Sequence, residues 1–416
     1  MPSLCLYLRV HIPYRLQRFS DNGMDATQSG NGAISDKKTV DQLAMDCYLP
    51  GNKILQELIE ALQGKFKIVI SISGTAIELL QSHRPDVLLS FQRLAGTGCV
   101  EFMAETYYNS LSWLHSKSEF KRQVVLHQNK MKEVFNQRPA VFRNSELIYC
   151  NELAHFIAGM GFRGILCEGL DTILKGRTSN YTYAAPGNGD FGVLLRNTRL
   201  SDDIAFRFDD TSWNEQPLTA EKFAGWVHAH DENTCNVNLH FDYETFGVHK
   251  KRETGIFEFL KKLPGSILAN ECWSFKTASE VLEDCYPKDI FDAPQVISWQ
   301  NKSAENCIWS ENVMQHNSLH KVYNIEKLVQ KSNCLKSLEY WGRLQSADHF
   351  YLMSEQGTAN NAASNRSNPF SSAEEAYQQY KNNVTEFELH LIHQGLGSFK
   401  SVRRYDGVYN LYAGNY

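Results

Sequence analysis

Short, almost wholly apolar runs recur along this chain between longer amphipathic stretches, and that alternation restricts its fold more than any other feature. A strand apolar at every position must be covered on both faces, which parallel strands joined by crossover helices achieve. The runs Leu4–Val10, Phe66–Ile72, Cys99–Phe102, Ala140–Arg143, Gly164–Cys167, Ile204–Phe208 and Asn236–Phe241 are the expected strands. They point to an α/β barrel or an open α/β sheet.

The intervening segments carry helical periodicity. Asn52–Gln63 places Ile54, Leu55, Leu58, Ile59 and Leu62 on one face, and Thr75–Ala95 reads as a helical region interrupted at Pro85. Glu119–Gln137 and Asn151–Met160 repeat the pattern, the latter stopping at Gly161. From Ala304 to Gln345 strand signals cease, and Ser372–Ile392 reads as a final helix, so a helical lobe packed on the sheet is expected. The expected layout is a barrel over 1–303, a helical region over 304–392 with a mobile loop at 354–371, and a tail over 393–416. Ser20–Ser35, rich in Gly, Asn, Asp and Ser, reads as a second flexible insertion.

Charge narrows the partners. Lys and Arg total 42 against 47 Asp and Glu, a net of −5, so no strong field favours nucleic acid or an anionic membrane. No apolar run approaches a membrane span, and Leu4–Leu8 is too short for a signal core. The ten cysteines never form CxxC and read as reduced packing residues, which places the chain in the cytoplasm.

In α/β barrels the reactive groups gather where the carboxyl ends of the strands surround one opening. Four strand-end residues qualify: His11, Glu101, Glu168 and Asp242. Glu168 precedes Gly169, which lets a ligand approach closely. Asp242 and Glu244 lie among Phe241, Tyr243 and Phe246, aromatic neighbours able to desolvate a carboxyl. His228 and His230 sit two apart on an expected helix and so face apart, a poor arrangement for a shared metal. Carboxyls on two different strands are what retaining glycoside cleavage requires, one attacking the anomeric carbon and the other protonating the leaving oxygen.

Five ordered segments give the chain a resemblance to glycoside hydrolase family 57, in its α-amylase-like branch: His11–Leu16, Gly98–Tyr108, Gly164–Gly169, Asp242–Gly247 running on through Thr254–Leu260, and Ser346–Tyr351. The intervals Arg143–Tyr149 and Phe206–Phe208 add to it. The resemblance implies an incomplete seven-stranded (β/α) barrel with a C-terminal helical region. It further implies a retaining enzyme on α-glucan or maltooligosaccharide, with no metal or other cofactor. Carried over, it makes Glu168 the nucleophile and Asp242 the acid/base, with His11, Glu101, Glu244 and Asp348 lining the sugar site. Trp299, Tyr243 and Phe246 are candidate stacking faces. The carboxyl separation expected for retention is roughly 5 to 5.5 Å.

Two positions depart from the family pattern: Arg9 stands where a His or Gln is common, and Ile12 replaces the usual Gln of the first motif. The alternatives left open are a 4-α-glucanotransferase or branching enzyme on the same site, a glycan-binding protein without catalysis, and a metal-dependent polysaccharide deacetylase. Oligomeric state is not legible.

Overall fold

The computed structural model describes residues 1–16, 19, 31–230, 234–299, 309–354 and 369–396. Seven parallel strands form its centre: β1 (Ser3–Val10), β2 (Ile68–Ile72), β3 (Val100–Phe102), β4 (Val141–Arg143), β5 (Gly164–Glu168), β7 (Asn188–Arg196) and β8 (Asn236–Asp242). Their spatial order is β4-β5-β7-β8-β1-β2-β3. Three short pieces extend the sheet: β6 (Tyr183–Ala185), antiparallel to β7, β9 (Ser274–Phe275), beside β1, and β10 (Asp289–Ile290), beside β6. Among the described residues β3 and β4 share no strand ladder and are joined by a bridge at Ala104 and Phe142, and β7 pairs with β8 at Arg196 and Asn238. The barrel is therefore incomplete, as the sequence implies.

Strand β1 shows how one run serves two layers. Leu4, Leu6, Leu8 and Val10 face outward into the core shared with the helices, while Cys5 and Tyr7 face inward, which puts Arg9 on the inner side at the strand end. On β8, Val237, Leu239 and Phe241 likewise pack outward, so Asn238, His240 and Asp242 point into the barrel. Polar residues thus collect inside at the carboxyl ends, where β1 and β8 pair Arg9 with Asp242 in register.

One expected strand is corrected. Ile204–Phe208 is not a strand, because Thr198–Ala205 is a helix whose N-cap, Asn197, accepts from the Leu200 N–H at 3.0 Å. Leu200 and Ile204 lie four apart on this helix, Phe208 follows just beyond its end, and all three pack into the outer core. The seventh parallel strand is Asn188–Arg196, whose opening Asn188-Gly189-Asp190 looks like a turn while its buried part begins at Phe191. Other expected elements keep their type, and the Pro85 interruption separates helices Gly74–His83 and Pro85–Gly96.

The helical region contains Val313–Asn324, Glu326–Ser332, Leu335–Leu344 and Ala373–Leu391. Trp341, fully buried, donates through Nε1 to the Val322 carbonyl at 2.7 Å and ties two of these helices together. The region meets the barrel where Ser110 bridges Ser346 and the Ala347 N–H donates to the Asn109 carbonyl at 2.9 Å. Helix Asn31–Leu43 occupies the end of the segment expected as a flexible insertion, while residues 20–30 and 355–368 of the two expected loops lie outside the described residues.

The expectation that all cysteines are reduced is corrected as well. Cys235 and Cys285 form a disulfide with Cα atoms 6.2 Å apart, a contact between distant segments that no spacing motif announces. Among the described residues no helix is long and apolar enough to cross a membrane.

Candidate active site

A cavity of about 780 Å³ opens between the carboxyl ends of β1 and β8 and the helical region. That size suits a small ligand or part of an oligosaccharide. Arg9, His11, Asp242, Glu244 and Asp348 all line it, so four expected site residues meet there despite their distance in sequence.

Asp242 ends β8, with its side chain 38% exposed and Oδ1 accepting from Arg9 Nη1 at 2.9 Å. The turn after it needs Gly247, whose φ is +107° and where a Cβ would fall 1.9 Å from the Asp46 carbonyl oxygen. Glu244 is carried inward by this turn and accepts from the Tyr48 hydroxyl. Burial, reinforced by Asp242 two residues away, pushes Glu244 up to about 7. His11 continues β1, with Nε2 2.7 Å from Asp348 Oδ2 and Nδ1 2.8 Å from Ser73 Oγ. Ser73 also caps helix Gly74–His83 by accepting from the Ala76 N–H. Asp348 belongs to the short helix Ala347–Tyr351, and its Oδ2 also accepts from Ser346 Oγ at 2.7 Å.

A further carboxylate lies beneath this opening and was not singled out from the sequence. Glu146 follows β4 at φ 55°, ψ 26°, a left-handed conformation that non-glycine residues adopt at a cost. Its side chain is 1% exposed, and Oε2 accepts from Trp299 Nε1 at 2.9 Å. Arg9 Nη2 stands 3.6 Å from Oε1, and Asn109 Nδ2 lies 3.4 Å from both Glu146 Oε1 and Asp348 Oδ2. One guanidinium therefore reaches Asp242 with one nitrogen and Glu146 with the other. Burial disfavours the charge on Arg9, but Asp242, Glu146 and Asp348 outweigh it and hold the guanidinium protonated. The signal for Glu146 was its place just after an expected strand, inside the family-like interval Arg143–Tyr149.

Glu168, Glu101, Tyr243 and Phe246 are placed elsewhere. Glu168 points into the barrel from the end of β5 but does not line the cavity of Asp242. Fully buried, it is 3.3 Å from Arg196 Nη1 and accepts from the Thr198 hydroxyl. Arg196 continues to the His240 carbonyl at 2.9 Å and Asp202 at 2.5 Å, so the partner of Glu168 is itself held on three sides. Burial pushes Glu168 up, against the opposing pull of Arg196 and Thr198. Glu101 sits toward the opposite end of the barrel, accepting from the Ser279 N–H at 2.9 Å and its hydroxyl at 2.6 Å, because the short β3 pairs it with Val69 near the start of β2. Tyr243 and Phe246 belong to the outer core, with the Tyr243 hydroxyl donating to Asn52 Oδ1 at 2.8 Å. Trp299, partly buried, meets Glu146 through its indole N–H.

Beneath the opening, Arg143 donates to Glu105 at 3.0 Å and to His240 Nε2 at 3.2 Å. Burial and the nearby Arg9 pull Arg143 down to about 10, while burial beside Arg143 and Arg196 keeps the His240 imidazole neutral. His228 does not share a site with His230, since its Nε2 faces the Ile267 carbonyl at 3.1 Å. Among the described residues no group of three or more His, Cys, Asp and Glu is arranged to hold a metal.

This geometry can be set beside known proteins. Over 394 residues the chain is 36% identical to a Methanocaldococcus jannaschii protein named "Putative alpha-amylase", covering 92% of this chain and 83% of that one. Its fold is shared with the 4-alpha-glucanotransferase of Thermococcus litoralis at a TM-score of 0.69 and 14% identity, over 94% of this chain and 60% of that one. A branching enzyme of Thermococcus kodakaraensis gives 0.68 at 14% identity over 96% and 91% of the two chains. The alpha-amylase of Thermotoga maritima gives 0.65 at 12% identity over 97% and 96%. The profile described as Glycosyl hydrolase family 57 matches residues 5–294, and the chain belongs to that family of glycoside hydrolases.

Proposed function

We propose that this glycoside hydrolase cleaves α-1,4-glucosidic bonds of an α-glucan or maltooligosaccharide with retention, using Asp242 as acid/base and Glu146 as nucleophile. The observation that carries the reading is the Arg9 guanidinium reaching both carboxylates, Asp242 on the cavity wall and Glu146 buried beneath it. Double displacement needs two carboxyls on either side of one sugar bond, about 5 to 5.5 Å apart, and Arg9 brings Asp242 and Glu146 to two nitrogens of one guanidinium. The role that the resemblance gives to Glu168 passes to Glu146 here, because Glu168 spends its charge on Arg196.

In the first step the Asp242 carboxyl donates its proton to the glycosidic oxygen while a Glu146 oxygen bonds to the anomeric carbon and the leaving sugar departs. In the second, Asp242 takes a proton from water, the water oxygen bonds to that carbon, and Glu146 is released. His11 and Asp348 are placed to hold sugar hydroxyls, and Asn109 connects Asp348 to Glu146. A sugar hydroxyl in place of that water would give transfer or branching.

Chromatography of products from maltoheptaose tests this: shortened chains support hydrolysis, lengthened or branched ones support transfer. The assignment of residues is read from D242N, E146Q and E168Q under the same assay. Full activity of folded E146Q, with loss confined to E168Q, would reject Glu146.

The reading keeps the chain in the cytoplasm. There the Cys235–Cys285 disulfide is an exception to the usual reduced state, and thiol counting under denaturing conditions after extraction from cells should find these two cysteines blocked; finding them free would count against it.

A further inference from the structure

We propose that Arg9 is a positioning residue of this site: its guanidinium spaces Asp242 and Glu146 around the reacting bond and sets the negative charge they share. The inference rests on the reading of those two carboxylates as the reacting pair.

Arg9 is 5% exposed, at the inward-facing end of the strand that sits between β8 and β2. Its one short contact is Nη1 to Asp242 Oδ1 at 2.9 Å; Nη2 is held 3.6 Å from Glu146, beyond a hydrogen bond. Among the described residues Nε and Nη2 have no acceptor although both are buried. Arg196, in the same barrel, engages every branch: Nε meets the His240 carbonyl, Nη1 Glu168 and Nη2 Asp202. A buried arginine serving only structure has reason to look like Arg196, since each orphaned donor costs about 1–3 kcal/mol. Arg9 instead keeps two donors unspent beside a carboxylate whose own backbone is strained, a combination expected where a ligand completes the site. A sugar hydroxyl brought between the carboxylates supplies the missing acceptor.

The charged and titratable groups around Arg9 are Asp242 and Glu244 from the end of β8, Glu146 from beyond β4 and Asp348 from the helical region. Arg143 on β4 and His240 on β8 face it from below. Without the Arg9 charge the acids face one another, and at least one keeps its proton to higher pH.

The test compares wild type, R9Q and R9K by ¹³C-carboxyl NMR titration and by the pH dependence of kcat and KM on maltoheptaose. In R9Q the midpoint of Asp242 or Glu146 rises by about one unit or more. Its kcat falls roughly 10- to 100-fold, with KM within about threefold, as misplacement of reacting groups predicts. R9K restores the midpoint to within about half a unit, since the charge returns, but not kcat, since an ammonium lacks the fork. Unmoved midpoints in R9Q, a loss borne by KM alone, or a rise in kcat overturns the proposal. Should R9Q fail to fold, wild-type kcat in R9K does the same. D242N and E146Q separate the two ideas: activity in either removes the reacting pair itself, whereas inactivity of both beside an unmoved R9Q removes only the role of Arg9.

Discussion

The acid–arginine clusters around Glu168 and around Asp242, both inside this barrel, differ in what is left unspent. At the end of β5 and β7, Glu168 is closed off, its oxygens satisfied by Arg196 and Thr198 and its arginine occupied on every side. At the end of β8 and β1, Asp242 opens to a cavity, and among the described residues Arg9 holds two donors without acceptors next to a strained Glu146. The same residue types therefore serve opposite ends. A closed network reinforces the barrel where, among the described residues, β7 pairs with β8 at Arg196 and Asn238, and the other network leaves donors facing the carboxylates. On the proposed assignment, incomplete satisfaction rather than the presence of a buried acid distinguishes the reacting site.

The contrast breaks most sharply at activity. D242N and E146Q should each lower kcat/KM on maltoheptaose by about 10²- to 10⁴-fold, with little change in melting temperature, because Arg9 retains one acid in either variant. Equal activity in both would erase the distinction between the clusters. The mirror result is expected at Glu168. Glu168→Leu strips Arg196 of its buried partner and should destabilise the fold by about 3 kcal/mol, the low end for a broken buried pair because Asp202 remains. Urea unfolding measures it, and unchanged stability with abolished turnover would reverse the two assignments.

A third effect concerns pH. Glu244 titrates near 7 in the fold and near its ordinary carboxylate value when unfolded, so the native state binds more protons between those limits. Stability from this group is thus fully present below about pH 4.5 and declines as pH rises to 7, by up to roughly 3 kcal/mol. E244Q, whose amide oxygen can still accept from Tyr48, should flatten that part of the curve of melting temperature against pH. The smallest effect is expected at His11. H11A removes one partner of Asp348 and should raise KM about five- to tenfold with kcat nearly kept, equivalent to roughly one hydrogen bond; a collapse of kcat instead would move His11 into the chemistry.

Much of the barrel was legible because buried parallel strands leave an unmistakable apolar signature, and β1, β2, β4 and β5 lie where that signature falls. The strand Asn188–Arg196 was missed because its exposed start resembles a turn, and the run Ile204–Phe208 was misread because a short run does not separate period two from period four. His11, Asp242, Glu244 and Asp348, each in or beside a motif-like segment, line one cavity. Glu101 failed because strand position alone does not reveal which end of the barrel an inward residue occupies, and Tyr243 because alternation past the strand end is broken by the turn.

The sequence by itself determined the class of fold, the chemical kind of the site and the order of its parts, since periodicity and residue type are local properties. Which acids meet was decided only by the tertiary structure. Strand order sets β1 beside β8 and so puts Arg9 against Asp242, while β5 beside β7 consigns Glu168 to Arg196. Coulomb attraction and desolvation act between neighbours in space, and no spacing along the chain encodes those neighbours.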